Sequence, residues 1–472
     1  MNNRRRGTRS FFGAAWIAAL FAACSVGPNY RPPRTQMPDQ WAGVANTSND
    51  SLSAAPATPA ELERWWQNFH DAELNSLIAR ALAANLDVKT AEAALRQARA
   101  SRGIVAGALW PTLNASGGYT RSGGGTAAGN TFQTGLDSVW ALDIFGGTRR
   151  NVESANASIE AASDSLAAAR VLLVAEVALD YIQLRGDQEQ IAIAQENLKA
   201  EQHTAQLTRQ LLTAGFASAL DTANAEAQVA TTASTIPVLD TALRQDIFAL
   251  SLLLGSAPAD LLAELSTPAP VPLTPPRIPA GIPSDLLRRR PDIRAAEAQL
   301  HSATAQIGVA VAAFFPQFSM TASGGYQSNL LSTFFSTGAR TWASGPQVNW
   351  PILQGGALAA NVSLQKALRD QAYLNYQKTV LVALQEVENA LVAYANEWDH
   401  QNALAEAYAQ NRKALDLSMQ LYSRGNVDFL TVLVAERSLY SSQSALALSK
   451  QAISTDLVSL YQALGGGWDG SP

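Results

Sequence analysis

The stretch Arg290-Pro-Asp-Ile-Arg-Ala-Ala-Glu297 repeats the pattern of Asn85-Leu-Asp-Val-Lys-Thr-Ala-Glu92 at an offset of 205 residues. Working outward, Trp110-Pro111 returns as Phe315-Pro316 at the same offset, and Gly146-Gly147 returns as Gly355-Gly356 at 209. Glu176-Val177, Ala214-Gly215 and Leu254-Gly255 return as Glu386-Val387, Arg424-Gly425 and Leu464-Gly465 at 210. The offset changes between the proline and the paired glycines, so the second copy carries its extra residues in one place, as a loop absorbs an insertion. The chain is therefore two copies of one plan, residues 61–266 and 284–468. Residues 267–283 join them, and seven prolines there exclude helix and central strand and predict an extended connector.

Each copy reads as helix, β-hairpin, long helix, turn, helix. Apolar residues recur every seven positions at Val152, Ile159, Leu166 and Leu173, then, after a step of four, at Val177, Leu184, Ile191 and Leu198. That is a coiled-coil seam with a stutter, and Tyr373, Val380, Val387 and Tyr394 hold the same spacing in the second copy. No proline interrupts Gly147 to Thr213 or Gly356 to Arg424, so each long helix is expected to run about 100 Å and to turn near Gly215 or Gly425.

The hairpins are expected at Pro111 to Arg121 with Thr131 to Asp143, and at Pro316 to Gln327 with Arg340 to Ile352, joined by loops rich in Gly, Ser and Thr. Trp110, Tyr119, Trp140, Tyr326, Trp342 and Trp350 lie in or beside them, where an interfacial aromatic girdle would stand. Strands of this length suit a membrane-spanning barrel. Four strands cannot close one, and an open edge in lipid leaves backbone groups unpaired, so several copies must combine; a trimer supplies twelve strands. A coiled-coil spacer without a pore is the competing reading, and it leaves the aromatic-flanked hairpins without a purpose.

The first 23 residues read as a signal peptide, with Arg4, Arg5, Arg6 and Arg9 before the apolar run Phe11 to Ala23. Phe21-Ala-Ala-Cys24 resembles the lipobox at which bacterial lipoproteins are cleaved and acylated, with Phe21 where Leu is usual; the alternative is an ordinary signal peptide followed by a free cysteine. Residues 24–60 are then a lipid-anchored extended segment. Without the leader arginines the chain has 30 basic and 39 acidic residues, a poor match to nucleic acid. One cysteine and four scattered histidines, His70, His203, His301 and His400, assemble no metal centre or disulfide. The glycine runs lack a phosphate-cradle context, and Glu386 and Glu388 point to different helix faces, so no enzyme and no cofactor beyond the lipid on Cys24 is expected.

These residues resemble the outer membrane factor family, the TolC-like exit ducts of bacterial tripartite efflux pumps, and its lipoprotein branch in particular. The stretches that carry the resemblance are Cys24-Ser-Val-Gly-Pro-Asn-Tyr-Arg-Pro32, Trp65-Trp-Gln-Asn-Phe69 with Asp71-Ala-Glu-Leu74, Leu142-Asp-Ile-Phe-Gly-Gly147, Ile282 to Glu297, Gly425-Asn-Val-Asp-Phe-Leu430 and Leu460 to Trp468. The resemblance implies a mainly α fold with a transmembrane β-barrel: a homotrimer with a twelve-stranded barrel in outer-membrane lipid and a twelve-helix periplasmic tunnel. It also implies two partners, a periplasmic adaptor and an inner-membrane transporter of the RND type. A type I protein-secretion duct shares this architecture, but the lipobox and the Gly-Pro-Asn-Tyr start favour small-molecule efflux.

For the gate, the resemblance implies a hydrogen bond from a Tyr three residues before one turn glycine to an Asp six residues after the other. Those positions are Tyr422 and Asp221; the alternative is that Asp221 caps its helix and Tyr422 packs in the seam. An acidic ring implied six and nine residues after the second glycine meets Thr431 and Val434 instead, with Asp428 and Glu436 the nearest carboxylates, which points to a more apolar aperture. Arg424 and Arg437 are candidates for ion pairs across subunits. The resemblance places adaptor docking beside Gly215, Gly425, Asp428 and Leu430.

Overall fold

A computed structural model describes residues 25–42, 52–53, 62–124, 127–272, 278–279 and 283–468. The signal peptide, Cys24 and parts of the N-terminal segment and of the proline-rich connector lie outside the described residues. In chain order the elements are β1 (Leu52–Ser53), α1 (Ala72–Ala84), α2 (Leu86–Gly107), β2 (Thr112–Gly124), β3 (Ala127–Leu142), α3 (Gly147–Thr213), α4 (Ala219–Leu253), α5 (Leu262–Leu265), β4 (Ile278–Pro279), α6 (Leu286–Arg289), α7 (Pro291–Ala312), β5 (Gln317–Ser328), β6 (Arg340–Asn349), α8 (Ala357–Ser423) and α9 (Phe429–Ala463). Helices α3 and α8 are each 67 residues long. Among the described residues no helix is long and apolar enough to cross a membrane.

The repeats are not the folding units. Of the described residues, one compact unit takes those up to Thr35 with Ala93–Asp164 and Ile293–Thr379, and the other takes the remainder, so each draws on both copies. In the first unit the four long strands form one antiparallel sheet in the order β2-β3-β5-β6, leaving β2 and β6 as edges. Trp140 and Trp350 close the sheet against the preceding helices in the same way in both copies: the Trp140 indole donates to the Leu109 carbonyl (3.0 Å) and the Trp350 indole to that of Phe314 (3.1 Å). Asp143, directly after β3, accepts from the backbone N–H groups of Thr148 and Arg149, satisfying donors that the first turn of α3 leaves open.

The strand ends differ from the expected ones. The first hairpin pairs out to Gly124 and Ala127, so most of the glycine run expected as a loop is strand. Glycine imposes no side-chain cost on a flat edge pair. In the second hairpin β6 stops at Asn349, and the connection carries two single-turn 3-10 helices, Leu331–Thr333 and Thr337–Ala339.

In the second unit the core gathers on Trp65, Leu74, Leu77, Ile78, Tyr181, Ile182, Leu184, Ile247, Leu250, Tyr394 and Tyr461, all essentially inaccessible. The expected seam residues Leu173, Val177 and Leu184 are buried here with Val380, Val387 and Tyr394. Leu172 and Leu381 are exposed instead, consistent with a seam that takes one side of each helix.

Candidate functional site

Both helical turns are built by one device. Gly215 and Gly425 take φ +77° and +71°, a conformation that side chains resist, and nothing lies within 4 Å of where a Cβ would sit. Phe216 N donates to the Leu211 carbonyl and Gly215 N to that of Leu212; Asn426 N and Gly425 N do the same to Leu421 and Tyr422. These are paired Schellman closures, which satisfy the last carbonyls of α3 and α8.

The following helices start with mirrored caps. At α4 the Ser218 hydroxyl accepts from Asp221 N (3.2 Å) while the Asp221 carboxylate accepts from Ser218 N (2.9 Å), a capping box. At α9, 210 residues on, the acid and the hydroxyl change places: Asp428 accepts from Thr431 N (3.0 Å) and from the Thr431 hydroxyl (2.6 Å). Those hydrogen bonds hold the Asp428 carboxyl below its ordinary range. Thr431, expected at the aperture, is thus a cap partner of Asp428, while Leu430 and Val434 are both 55% exposed on the same helix turn.

The expected hydrogen bond from Tyr422 to Asp221 is not made within the chain. Asp221 is engaged by Ser218, and the Tyr422 hydroxyl is buried without a hydrogen-bond partner among the described residues. Its ring packs against Phe429 (centroids 5.6 Å apart) on the edge of a small core of Ala205, Ala225, Phe429, Val432 and Leu433. The two groups are nonetheless neighbours: burial first, and the Asp221 charge second, push the Tyr422 phenol up. The signal that places Asp221 in the cap is the Ser218-x-x-Asp221 spacing, the pattern of a helix start.

Two turns further along α9, Glu436 is buried and accepts from the Thr204 hydroxyl of α3 (3.1 Å). Glu201, also on α3 and buried, accepts from Gln228 and Thr232 of α4 (2.9 Å each). Burial lifts both carboxyls, Glu436 to about 7, with the Glu201 charge adding to the rise. Arg437 donates to Gln228 within the same chain (2.7 Å), and Arg209 pairs with Glu226 (2.6 Å). Thr204 and Glu201 are site residues absent from the sequence expectations, since a single carboxylate or hydroxyl on a long helix carries no spacing signal; Ser218 carries one, the spacing to Asp221.

The sheet's two faces divide by chemistry. The register sets Leu113 opposite Ser138, Ala115 opposite Leu136, Tyr119 opposite Phe132, Trp140 opposite Met320, Thr134 opposite Tyr326 and Gly324 opposite Trp342. All four girdle aromatics that lie within strands, Tyr119, Trp140, Tyr326 and Trp342, therefore share one face, and Trp110 and Trp350 stand just outside the strands, 72% and 58% exposed. The opposite face carries Asn114, Ser116, Thr131, Gln133, Asp137, Ser319, Thr321, Ser323, Gln327, Thr341 and Gln347. An apolar, aromatic-bearing face backed by a polar one is the signature of a barrel wall between lipid and water.

A family model described as outer membrane efflux protein matches residues 77–256 and 282–466, one block in each repeat. Nodulation protein T of Rhizobium leguminosarum bv. viciae is 35% identical over 458 residues, which cover 96% of this chain and 93% of that protein. The toluene efflux pump outer membrane protein TtgC of Pseudomonas putida is 34% identical over 472 residues, covering 98% and 96%. Among solved structures, the outer-membrane channel OprN superposes with a TM-score of 0.87 at 36% identity, over 94% of this chain and 100% of that one. A duplicated helical plan, a two-faced sheet with open edges and similarity from end to end agree: the chain belongs to the outer membrane efflux protein family.

Proposed function

We propose that the chain is the exit duct of a tripartite efflux system, a homotrimer through which an inner-membrane transporter of the RND type and a periplasmic adaptor discharge small molecules. The observation that carries this reading is the pair of unpaired edges, β2 and β6, on a sheet with one apolar and one polar face. In lipid both edges require partners, and three copies joined edge to edge give twelve strands around a water-filled interior. The duct supplies passage and no chemistry; energy resides in the pump. The same reading anchors the chain in the outer membrane by acyl groups on Cys24, docks the adaptor beside Gly215, Gly425, Asp428 and Leu430, and sets a gate at the turns bearing Asp221, Tyr422, Thr431 and Val434. An unpartnered, buried Tyr422 hydroxyl next to the Asp221 charge supports a link that forms in the resting trimer.

Single-channel recording of the detergent-extracted trimer tests both pore and gate. Wild type is expected to conduct weakly, and Asp221→Ala with Tyr422→Phe several-fold more. Equal conductance would assign Asp221 to its cap alone, and silence from verified trimers would overturn the duct. Separately, radiolabelled palmitate is expected to enter the wild type and not Cys24→Ser; incorporation in both would remove Cys24 as the acylation site.

A further inference from the structure

The four long strands carry three charged side chains, Arg121, Asp137 and Arg340. Their register separates them. Arg121 pairs with Asn130 and Arg340 with Tyr326, positions that fall on the apolar, aromatic face near the loop ends of the hairpins. Asp137 pairs with Asn114 on one side and Ser323 on the other, in the middle of the polar face, and accepts from the Asn114 side-chain amide (3.3 Å). The rest of that face is Thr, Ser, Asn, Gln, Gly, Ala and one Val, so within the strands no cation answers Asp137. It lies five residues before the end of β3 at Leu142, about 17 Å along the strand.

We infer that Asp137 is the charge-selecting residue of the barrel lumen: in the closed assembly its three copies form a carboxylate ring that favours cationic over anionic solutes on their way out. The inference rests on the duct reading above and adds a specificity to it. Twelve strands spaced about 4.8 Å apart and tilted about 40° make a barrel of about 12 Å radius, and inward side chains reduce the free radius further. A solute on the axis is then within about one Debye length of all three carboxylates at 0.1 M salt, so their attraction is only partly screened. A wall of uncharged hydroxyls and amides leaves this ring as the fixed charge of the sheet's polar face. The chemistry that it would aid is the release of amines and other organic cations; organic anions would cross against a repulsive field.

The test is the reversal potential of trimers in a planar bilayer under a tenfold KCl gradient, for wild type, Asp137→Asn and Asp137→Lys. Wild type is expected to prefer K⁺ to Cl⁻. Asparagine, which keeps the partnership with Asn114, is expected to lower the permeability ratio about threefold to tenfold, and lysine to lower it further toward anion preference. Equal reversal potentials in three conducting proteins would overturn the inference and leave the duct standing. Absence of conductance from verified wild-type trimers would overturn both.

Discussion

Replacing Glu436 with glutamine is expected to stabilise the protein by about 3 kcal/mol at pH 8 and by under about 1 kcal/mol at pH 5. Glu436 is 4% exposed, and burial lifts its carboxyl from 4.5 to about 7; the Thr204 hydroxyl bond opposes that rise, and the charge of Glu201 adds a smaller one. A folded-state value above the unfolded one means that folding takes up a proton. Stability at this position is therefore complete below about pH 4.5 and is lost as pH rises through 7, where the unfolded chain ionises freely and the folded one does so in a dry setting. The groups around it do not supply the missing countercharge: Thr204 is neutral, Glu201 is itself acidic, and Arg437 lowers Glu201 rather than Glu436. Tyr440, on the same helix, is driven upward by its burial and then by the Glu436 charge, so it stays neutral and supplies no countercharge either. Glutamine keeps the oxygen that accepts from Thr204 and never ionises. Thermal unfolding of the extracted protein at both pH values checks this, and a variant that keeps the wild-type difference between pH 5 and pH 8 would assign that difference to another group. Because Glu436 joins α9 to α3 next to the turns, the same substitution is expected to make any pH dependence of channel opening shallower.

How much was legible in the sequence follows from how far each signal reaches. Period and repeat are summed over many residues, and so the long helices, the turn glycines and the four strands stood out from spacing alone. Even the reciprocal relation of Ser218 and Asp221 to Asp428 and Thr431 is present in the 210-residue offset, although of the two caps only that of Asp221 is among the sequence expectations, as an alternative. The strand ends were not legible, because Ser122-Gly-Gly-Gly-Thr126 has the composition of a loop and only the partner strand decides whether glycines are paired. The Tyr422 to Asp221 link came from resemblance, whereas the nearest competitor for that carboxylate was three residues away in the chain; a local hydrogen bond needs no assembly to form it. The separation of Asp137 from Arg121 and Arg340 is a matter of strand parity, and parity becomes certain only with the register.

The second large effect is expected at Trp65, whose replacement by alanine is expected to cost about 3 to 5 kcal/mol. Three motifs far apart in sequence meet around it. Its ring, 1% exposed, stacks on Tyr461 at 5.2 Å and lies edge-on to Trp66 and Phe69. Asn68 donates to the Tyr461 hydroxyl (3.3 Å), and Gly467 N donates to the Leu62 carbonyl (2.9 Å), so the C-terminal glycines wrap the same aromatic group. A Cβ on Gly466 would come within 2.9 Å of the Trp65 ring and of the Leu62 carbonyl, which is the physical reason for a glycine there. Arg290 then ties this end of α9 to the start of α7. It donates to the Ala463 carbonyl (2.9 Å) and pairs with Asp292 (2.7 Å) and Glu386 (2.6 Å), and these partners, with burial acting against them, raise its already high pKa. Phenylalanine at position 65 retains a ring for Tyr461 and is expected to cost roughly 1.5 kcal/mol. The two variants are to be compared by thermal unfolding and, in the surviving trimers, by conductance. A graded loss of stability with unchanged conductance would make this cluster a fastening of the fold; full stability in Trp65→Ala would show that the stack contributes nothing, and altered conductance in stable trimers would place the cluster in the path of the solute.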